Sequence, residues 1–389
     1  MARSLLWALF GLTIVVMLCS WLWGSRSGEE EIGDRDEDVE TLLGPSLTEA
    51  IVAINKDTPF SLPPSDAPTE IQKRFSGVVD SIKRARTEKA SAQSVQLLER
   101  DIGNLNQALA TESLPYHVNS HVLLDGGKTK ALAIAFRTQS TVGISVGNQK
   151  HTVNFVRRLD SLNWVTKSLG HATHTKLQVN LDRAEKFIIG EVLPSLTGAV
   201  SKDQSVFDGT CAVEALLKTE LRKLSGKSPD KLIQGDEKAL KKIQNAWKFS
   251  LARHEAQHGA DIKNGLKLSE TAGIWDAKRD GKLHPNAVLE ASAYLAEIAR
   301  GENLTAIQVG VLSAYLRHAP KTSAEYQSAV LVLRGIIKAA RRRPPESTRQ
   351  IRLSARIELC TPEIEQFRKR AMKAWEALFL SPLPKLRLL

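Results

Sequence analysis

Residues Trp247 to Ile262 read WKFSLARHEAQHGADI. Trp247, Leu251, His254, His258 and Ile262 recur at spacings of four, three, four and four, the period of one helix face. No proline interrupts the run, so it predicts one continuous α-helix. The stripe that should face the core therefore carries two histidines, with Glu255 beside them. Burying such groups without partners costs several kcal/mol, on the order of the cost of burying any unpaired polar group. The pattern demands that something else meet them.

Two imidazoles one helical turn apart can hold a single Zn2+ ion, each ring nitrogen about 2.0–2.1 Å from it. Glu255, one position round the helix, can reach a water activated by that ion without being a ligand. That is where a general base for metal-assisted hydrolysis belongs. A catalytic zinc needs a third protein ligand. A further histidine six residues after His258 is absent, since position 264 is Asn, and position 261 is Asp rather than Gly. The next candidate is a carboxylate on a second helix. Pro285 to Ala299 (PNAVLEASAYLAEIA) supplies it, with Pro285 suited to a first turn and Gly301 to the end. Glu290 and Glu297 stand seven residues apart, on one face, among Ala291, Ser292, Ala293 and Ala296. Small side chains let another helix come close. Glu290 is the expected third ligand and Glu297 the alternative, with Arg300 in reach of Glu297 as an ion-pair partner.

The run HEAQHGAD, followed by LEASAYLAEI with Glu290 32 residues beyond His258, resembles the gluzincin class of zinc metallopeptidases. The resemblance covers residues 245–300, and its Glu-x-x-Ala form at Glu290 and Ala293 is similar to bacterial members of uncertain specificity. It implies that His254, His258 and Glu290 bind one zinc ion and that Glu255 is the base and proton shuttle. Thermolysin-like members carry an Asp where this chain has Tyr294; Asp261 or Glu297 is the expected substitute for orienting a ligand histidine. A tetrahedral intermediate also needs a hydrogen-bond donor for its oxyanion. Tyr315, His318 and Tyr326, downstream of the second helix, are the candidates.

Outward from this core the chain of 389 residues carries a net charge of +11, with 42% apolar and 25% charged residues. That balance excludes a disordered or collagen-like chain. Three cysteines exclude a disulfide scaffold and any four-cysteine zinc module; Cys211 and Cys360 can pair in an oxidising compartment, but their spacing does not show it. Residues 69–111 have helical apolar spacing. Residues 115–159 hold short β-branched runs separated by Asp125-Gly126-Gly127 and Gly147-Asn148, predicting a small antiparallel sheet of three or four strands. From Leu181 the chain scans as helix broken at glycines, Gly190 among them, with a last amphipathic helix around Ile364 to Leu378. The fold expected is α+β, predominantly helical, with a small antiparallel sheet followed by a helical zincin-like metal-binding region. The segments are 1–25, 26–68, 69–180 and 181–389: anchor, linker, helical segment plus sheet, and helical peptidase-like domain.

Residues 4–23 (SLLWALFGLTIVVMLCSWLW) carry no charge and are long enough to span a bilayer. Trp21 and Trp23 stand where signal-peptide cleavage wants small residues, so an uncleaved membrane anchor is expected, with the body in the periplasm or cell envelope. The acidic run EEEIGDRDEDVE (29–40) and the Pro-rich segment 59–68 read as a solvated linker. GHATHTK (170–176), with His171 and His174, reads as a surface loop. The basic tail beginning Arg341-Arg342-Arg343 can touch anionic lipid or a cell-wall polymer; its lack of interleaved aromatics argues against nucleic acid. The expected function is a membrane-tethered zinc metallopeptidase acting on a peptide or protein substrate. Its rivals are an envelope protein with a structural zinc clamp at the same residues, and a metal-free basic module.

Overall fold

The computed structural model describes residues 29–31, 50, 69–125, 128–159, 169–172, 176–199, 211–301, 304–340, 347, 350 and 364–389. The apolar run 4–23, the Pro-rich segment, His174, Arg341–Arg343 and Cys360 lie outside them. Among the described residues no helix is long and apolar enough to cross a membrane.

The chain starts with a short strand, β1 (Glu29–Glu31), then two helices, α1 (Thr69–Thr87) and α2 (Ala92–Thr111). Strands β2 (Tyr116–Asp125), β3 (Lys128–Val146) and β4 (Gln149–Arg158) follow as an antiparallel meander. Next come β5 (Gly170–Ala172) and β6 (Leu177–Asn180). Helix α3 (Leu181–Phe187) runs through a π-turn, Ile188–Val192, into α4 (Leu193–Thr197). Then come α5 (Cys211–Ser225), α6 (Pro229–Ile233), α7 (Glu237–Asn264), α8 (Ala277–Asp280), α9 (Pro285–Arg300), α10 (Thr305–His318), α11 (Ala324–Ala340), α12 (Ile364–Phe379) and a terminal strand, β7 (Leu386–Leu388). The expected class, predominantly helical α+β, is what the chain adopts.

The sheet departs from the expected one. It has seven strands and is mixed: the path runs β1-β3-β4-β6-β5, with β2 and β7 also paired to β3. The β4–β6 pair is parallel, Val153 opposite Leu177 and Val156 opposite Asn180. A parallel pairing is made through a crossover and leaves no hairpin signal in the sequence. Part of the supposed solvated acidic run, Glu29–Glu31, is a strand against Ser140–Val142. Part of the supposed loop around His171 is the strand β5, paired with β6. Gly190 does not break its helix; the chain passes it as the π-turn.

Two cores form on this sheet. Helices α1 and α2 bury Ile71, Phe75, Ile82, Leu98 and Leu105 with Val118 of β2 and Ala133 and Ala135 of β3. Val142, Ile144, Val153, Phe155 and Val179 belong to the larger core, with Trp247, Leu251 and Ala256 of α7 and the helices that follow. The larger core thus runs across residue 180. The strand β3, 19 residues long, serves both cores, and its pairing with β4 shifts register between Thr138 and Ser140.

The central helix α7 has clear ends. The Asp236 side chain accepts from Ala239 N at 3.0 Å, and Gly265 closes it at φ 59°. Gly259 lets it lie on the sheet: a Cβ there would stand 2.9 Å from His151 Nδ1 on β4 and 3.0 Å from Leu177 Cδ1 on β6. This close seating brings the turn of α7 that carries His254 and Glu255 over β5.

Candidate metal centre

Helices α7 and α9 bring His254, His258 and Glu290 together. The two imidazole Nε2 atoms are 3.1 Å apart. His254 Nε2 lies 3.5 Å from Glu290 Oε2, and His258 Nε2 lies 3.6 Å from Glu290 Oε1. Three donors about 2.0–2.1 Å from one ion at tetrahedral angles would stand about 3.3 Å from one another. The separation of the two imidazole nitrogens and the approach of each to its nearer carboxylate oxygen, one oxygen of Glu290 for each ring, lie close to that value. Among the described residues this is the one group of His, Cys, Asp and Glu side chains with such spacing.

Two of the three donors are in the state a cation needs, and His254 would give up a proton to bind one. Burial drives the His258 imidazole down to about 4, so it is neutral with a lone pair to give. Burial opposes ionisation of Glu290, but the His258 and His254 imidazoles that face it outweigh burial, holding this carboxyl down to about 2. Burial likewise works against the His254 cation, and the Glu290 carboxylate reverses it, so its value is raised. One anionic oxygen donor faces two imidazoles in a buried site, the donor set that borderline-soft divalent metals take.

Glu255 is buried on the same turn of α7, at 5% exposure. Burial pushes its carboxyl up to about 8, His254 pulls it down, and Glu290 raises it further. A divalent ion among the three donors would act in the lowering direction. Space for Glu255 comes from Gly170 of β5, whose missing side chain the glutamate occupies.

A cleft of about 470 Å³ opens beside these residues. His254, Glu255 and Glu290 line it, with Leu169 and Gly170 at β5, Phe187, Trp247, Leu251 and Val311 as an apolar wall, and Tyr294 and Tyr315 opposite. Arg183 and Glu191 form an ion pair at 2.6 Å on its side, one from α3 and one from the π-turn. The π-turn thus carries a charged group of the cleft. Glu290 retains 33% side-chain exposure.

Of the other residues singled out from the sequence, Tyr315 is at the site and His318 and Tyr326 are not. His318 is exposed at the end of α10, and Tyr326 is buried in α11; neither lines the cleft. Burial pushes the Tyr315 phenol up to about 12, so it remains a donor. Its hydroxyl is 3.4 Å from that of Tyr294. Tyr294 itself packs edge-on against the His254 ring, centroids 4.8 Å apart. It stands at the position where the resembling class carries an Asp, the departure noted in the sequence.

Glu297 does not enter the metal group. It meets Arg253 and Ser250: Arg253 Nε is 3.5 Å from Glu297 Oε1, and Ser250 Oγ donates to Glu297 Oε2 at 2.6 Å. Arg300 donates to Gln257 Oε1 at 2.7 Å and to the Pro384 carbonyl at 3.0 Å. Asp261 accepts from Gln257 Nε2 at 2.8 Å, and burial pushes its carboxyl up to about 7. Gly170, Tyr294, Arg183 and Glu191 had no signal as site residues. A short Gly-His-Ala run and a single arginine near a helix start carry no pattern of their own.

No family model, no curated protein and no solved structure matches this chain.

Proposed function

We propose that this chain is a zinc metallopeptidase, tethered to a membrane by residues 4–23 and working on the extracytoplasmic side. The observation that carries the reading is the near-tetrahedral spacing of His254 Nε2, His258 Nε2 and the Glu290 carboxylate beside an open cleft. Two nitrogens and one carboxylate oxygen are a catalytic zinc donor set, in which a fourth position stays free. A structural zinc site is closed by four protein ligands. Three protein donors, two of which (His254 and Glu290) line a cleft, therefore favour catalysis over a clamp.

When bound, the ion supplies Lewis-acid polarisation of a peptide carbonyl and acidifies water towards a pKa of about 7. Glu255 takes the proton of the attacking water and delivers it to the leaving amine. The buried setting of Glu255 suits both halves of that task, because it raises proton affinity towards neutral pH. Tyr315 donates its hydroxyl to the oxyanion that develops on the carbonyl, and Tyr294 holds Tyr315 and the His254 ring in place. Arg183, Glu191 and the wall of Phe187 and Trp247 bind the substrate's flanking residues. Among the described residues β5 ends the strand path β1-β3-β4-β6-β5, and its Gly170 lies against Glu255.

The test is Glu255→Gln. The variant keeps one equivalent of zinc and loses hydrolysis of a peptide library, whereas His258→Ala loses both. Hydrolysis unchanged in the Glu255→Gln protein removes the assignment of the base. A wild-type protein that binds no zinc removes the reading as a whole.

A further inference from the structure

We infer that the buried Arg253–Glu297 pair, with Ser250 and Gln308, is a positioning device for the metal ligands. It fixes where α9 stands against α7, so that one carboxylate reaches two imidazoles. The inference rests on His254, His258 and Glu290 as ligands and deepens that reading.

The two acids of α9 are divided by what faces them. Glu290 meets the histidines. Glu297 follows seven residues later on the same face, about 10 Å along the axis at 1.5 Å per residue. There it meets the turn of α7 just before the ligands. Ser250 lies one turn ahead of His254, and Arg253 adjoins it in sequence. Ser250 Oγ donates to Glu297 at 2.6 Å, and Gln308 Nε2, from α10 on the cleft wall, donates to Ser250 Oγ at 3.2 Å. The side chains of Arg253 and Glu297 are 6% and 4% exposed. Three helices are thus tied at one buried polar point next to the metal group.

The small side chains on the buried faces of α9 give such a tie its use. Ala287, Ala291, Ala293 and Ala296 of α9 are all buried. Small side chains permit a close approach but interlock weakly, so they leave sliding of one helix along the other poorly opposed. Glu290 must present its two oxygens at 3.5 and 3.6 Å from two separate rings, a geometry that an axial slip of about 1 Å would spoil. A buried ion pair adds little net stability over well-packed apolar groups, but it accepts only one alignment, and setting alignment is its best-attested use.

The test measures zinc affinity of the full chain by competition with a chromophoric chelator. The visible absorption of the Co2+-loaded protein reports ligand geometry. Wild type is compared with Glu297→Gln, with the double variant Arg253→Met/Glu297→Gln, and with Ser250→Ala. The double variant removes both charges together, so its thermal stability stays close to wild type while the ion pair is lost and only the Ser250 hydrogen bond can remain. The expected result is zinc affinity weakened about 10–100-fold in the double variant, as for loss of groups that orient a ligand, with a changed Co2+ spectrum. Ser250→Ala keeps both charges, folds, and is expected to weaken zinc binding several-fold. Wild-type zinc affinity and Co2+ spectrum in either the double variant or Ser250→Ala overturns the positioning role while leaving the ligand assignment standing. Absence of zinc binding in the wild type overturns the ligand assignment, and this role with it.

Discussion

Gly170 and Glu255 interlock: a Cβ on Gly170 would stand 2.6 Å from Glu255 Cδ and 2.9 Å from its Cγ. Strand β5 and helix α7 meet there with backbone against carboxylate. The glutamate is thereby held in one place, on the side of the cleft where the sheet ends. Gly170→Ala cannot be accommodated without moving β5 or turning Glu255 away. The expected outcome is full zinc occupancy with hydrolysis reduced about 100-fold or more, the scale of an ångström-sized misplacement of a catalytic group. Metal analysis and turnover on the same sample check it. Wild-type turnover in this variant would mean that the carboxylate is not where the reaction needs it.

Tyr315→Phe removes a donor without removing a ring. Its hydroxyl faces that of Tyr294 across 3.4 Å, and both line the cleft. Loss of a single oxyanion donor costs about 100–1000-fold in turnover. The drop is expected in kcat with KM little changed, because the bond strengthens only as the carbonyl becomes tetrahedral. His318→Ala, in contrast, should leave both constants alone.

Acid stability depends on Asp280. Its carboxylate is 2.7 and 3.1 Å from the Arg334 guanidinium, whose side chain is 3% exposed. Burial opposes its ionisation, but Arg279 and Arg334 more than compensate, holding it down to about 2 against an ordinary 3.8. The folded state thus prefers the charged form. Its contribution is complete above about pH 4 and disappears as pH falls from there towards 2. Denaturant titrations across that range should show stability falling with pH in the wild type and a flatter acid limb in Asp280→Asn. Asp280→Ala leaves Arg334 buried without its partner and should cost about 3–5 kcal/mol at neutral pH.

Helix α10 carries Tyr315 and Gln308, yet it lacks a capping side chain of its own, because Leu304 precedes it at φ 61°. Glu220 of α5 supplies the cap from a distance, accepting from Thr305 N and Ala306 N at 3.1 Å each. Glu220→Ala should lower stability by about 1–2 kcal/mol, the cost of a lost cap. A loss confined to the melting temperature, with zinc affinity intact, is the expected pattern; no change in melting would show that the two amides are satisfied otherwise.

The sequence made α7 and α9 readable because each has a helical period, a start signal and a glycine stop. The metal group followed, since spacing on those two helices sets which side chains share a face. It ranked Glu290 ahead of Glu297, although the two occupy the same face by period alone. The partner that separates them is Arg253, 44 residues away and unremarkable in its own neighbourhood. Strands β5, β6 and β7 were missed for a related reason. They are three or four residues long, and each is stabilised by pairing with a distant strand rather than by any local alternation. Tyr294 registered only as a departure from the resembling class, although its ring lies against the His254 ring.

The long strand β3 gives Ala133 and Ala135 to one core and Val142, Ile144 and Val146 to the other. Neither hydrophobic cluster can therefore melt alone without stripping partners from the other's backbone ladder. Amide protons along residues 133–146 should be among the slowest in the chain to exchange with deuterium, and they should do so together. The part that carries the candidate metal centre and the helical hairpin part would then rise and fall as one cooperative unit.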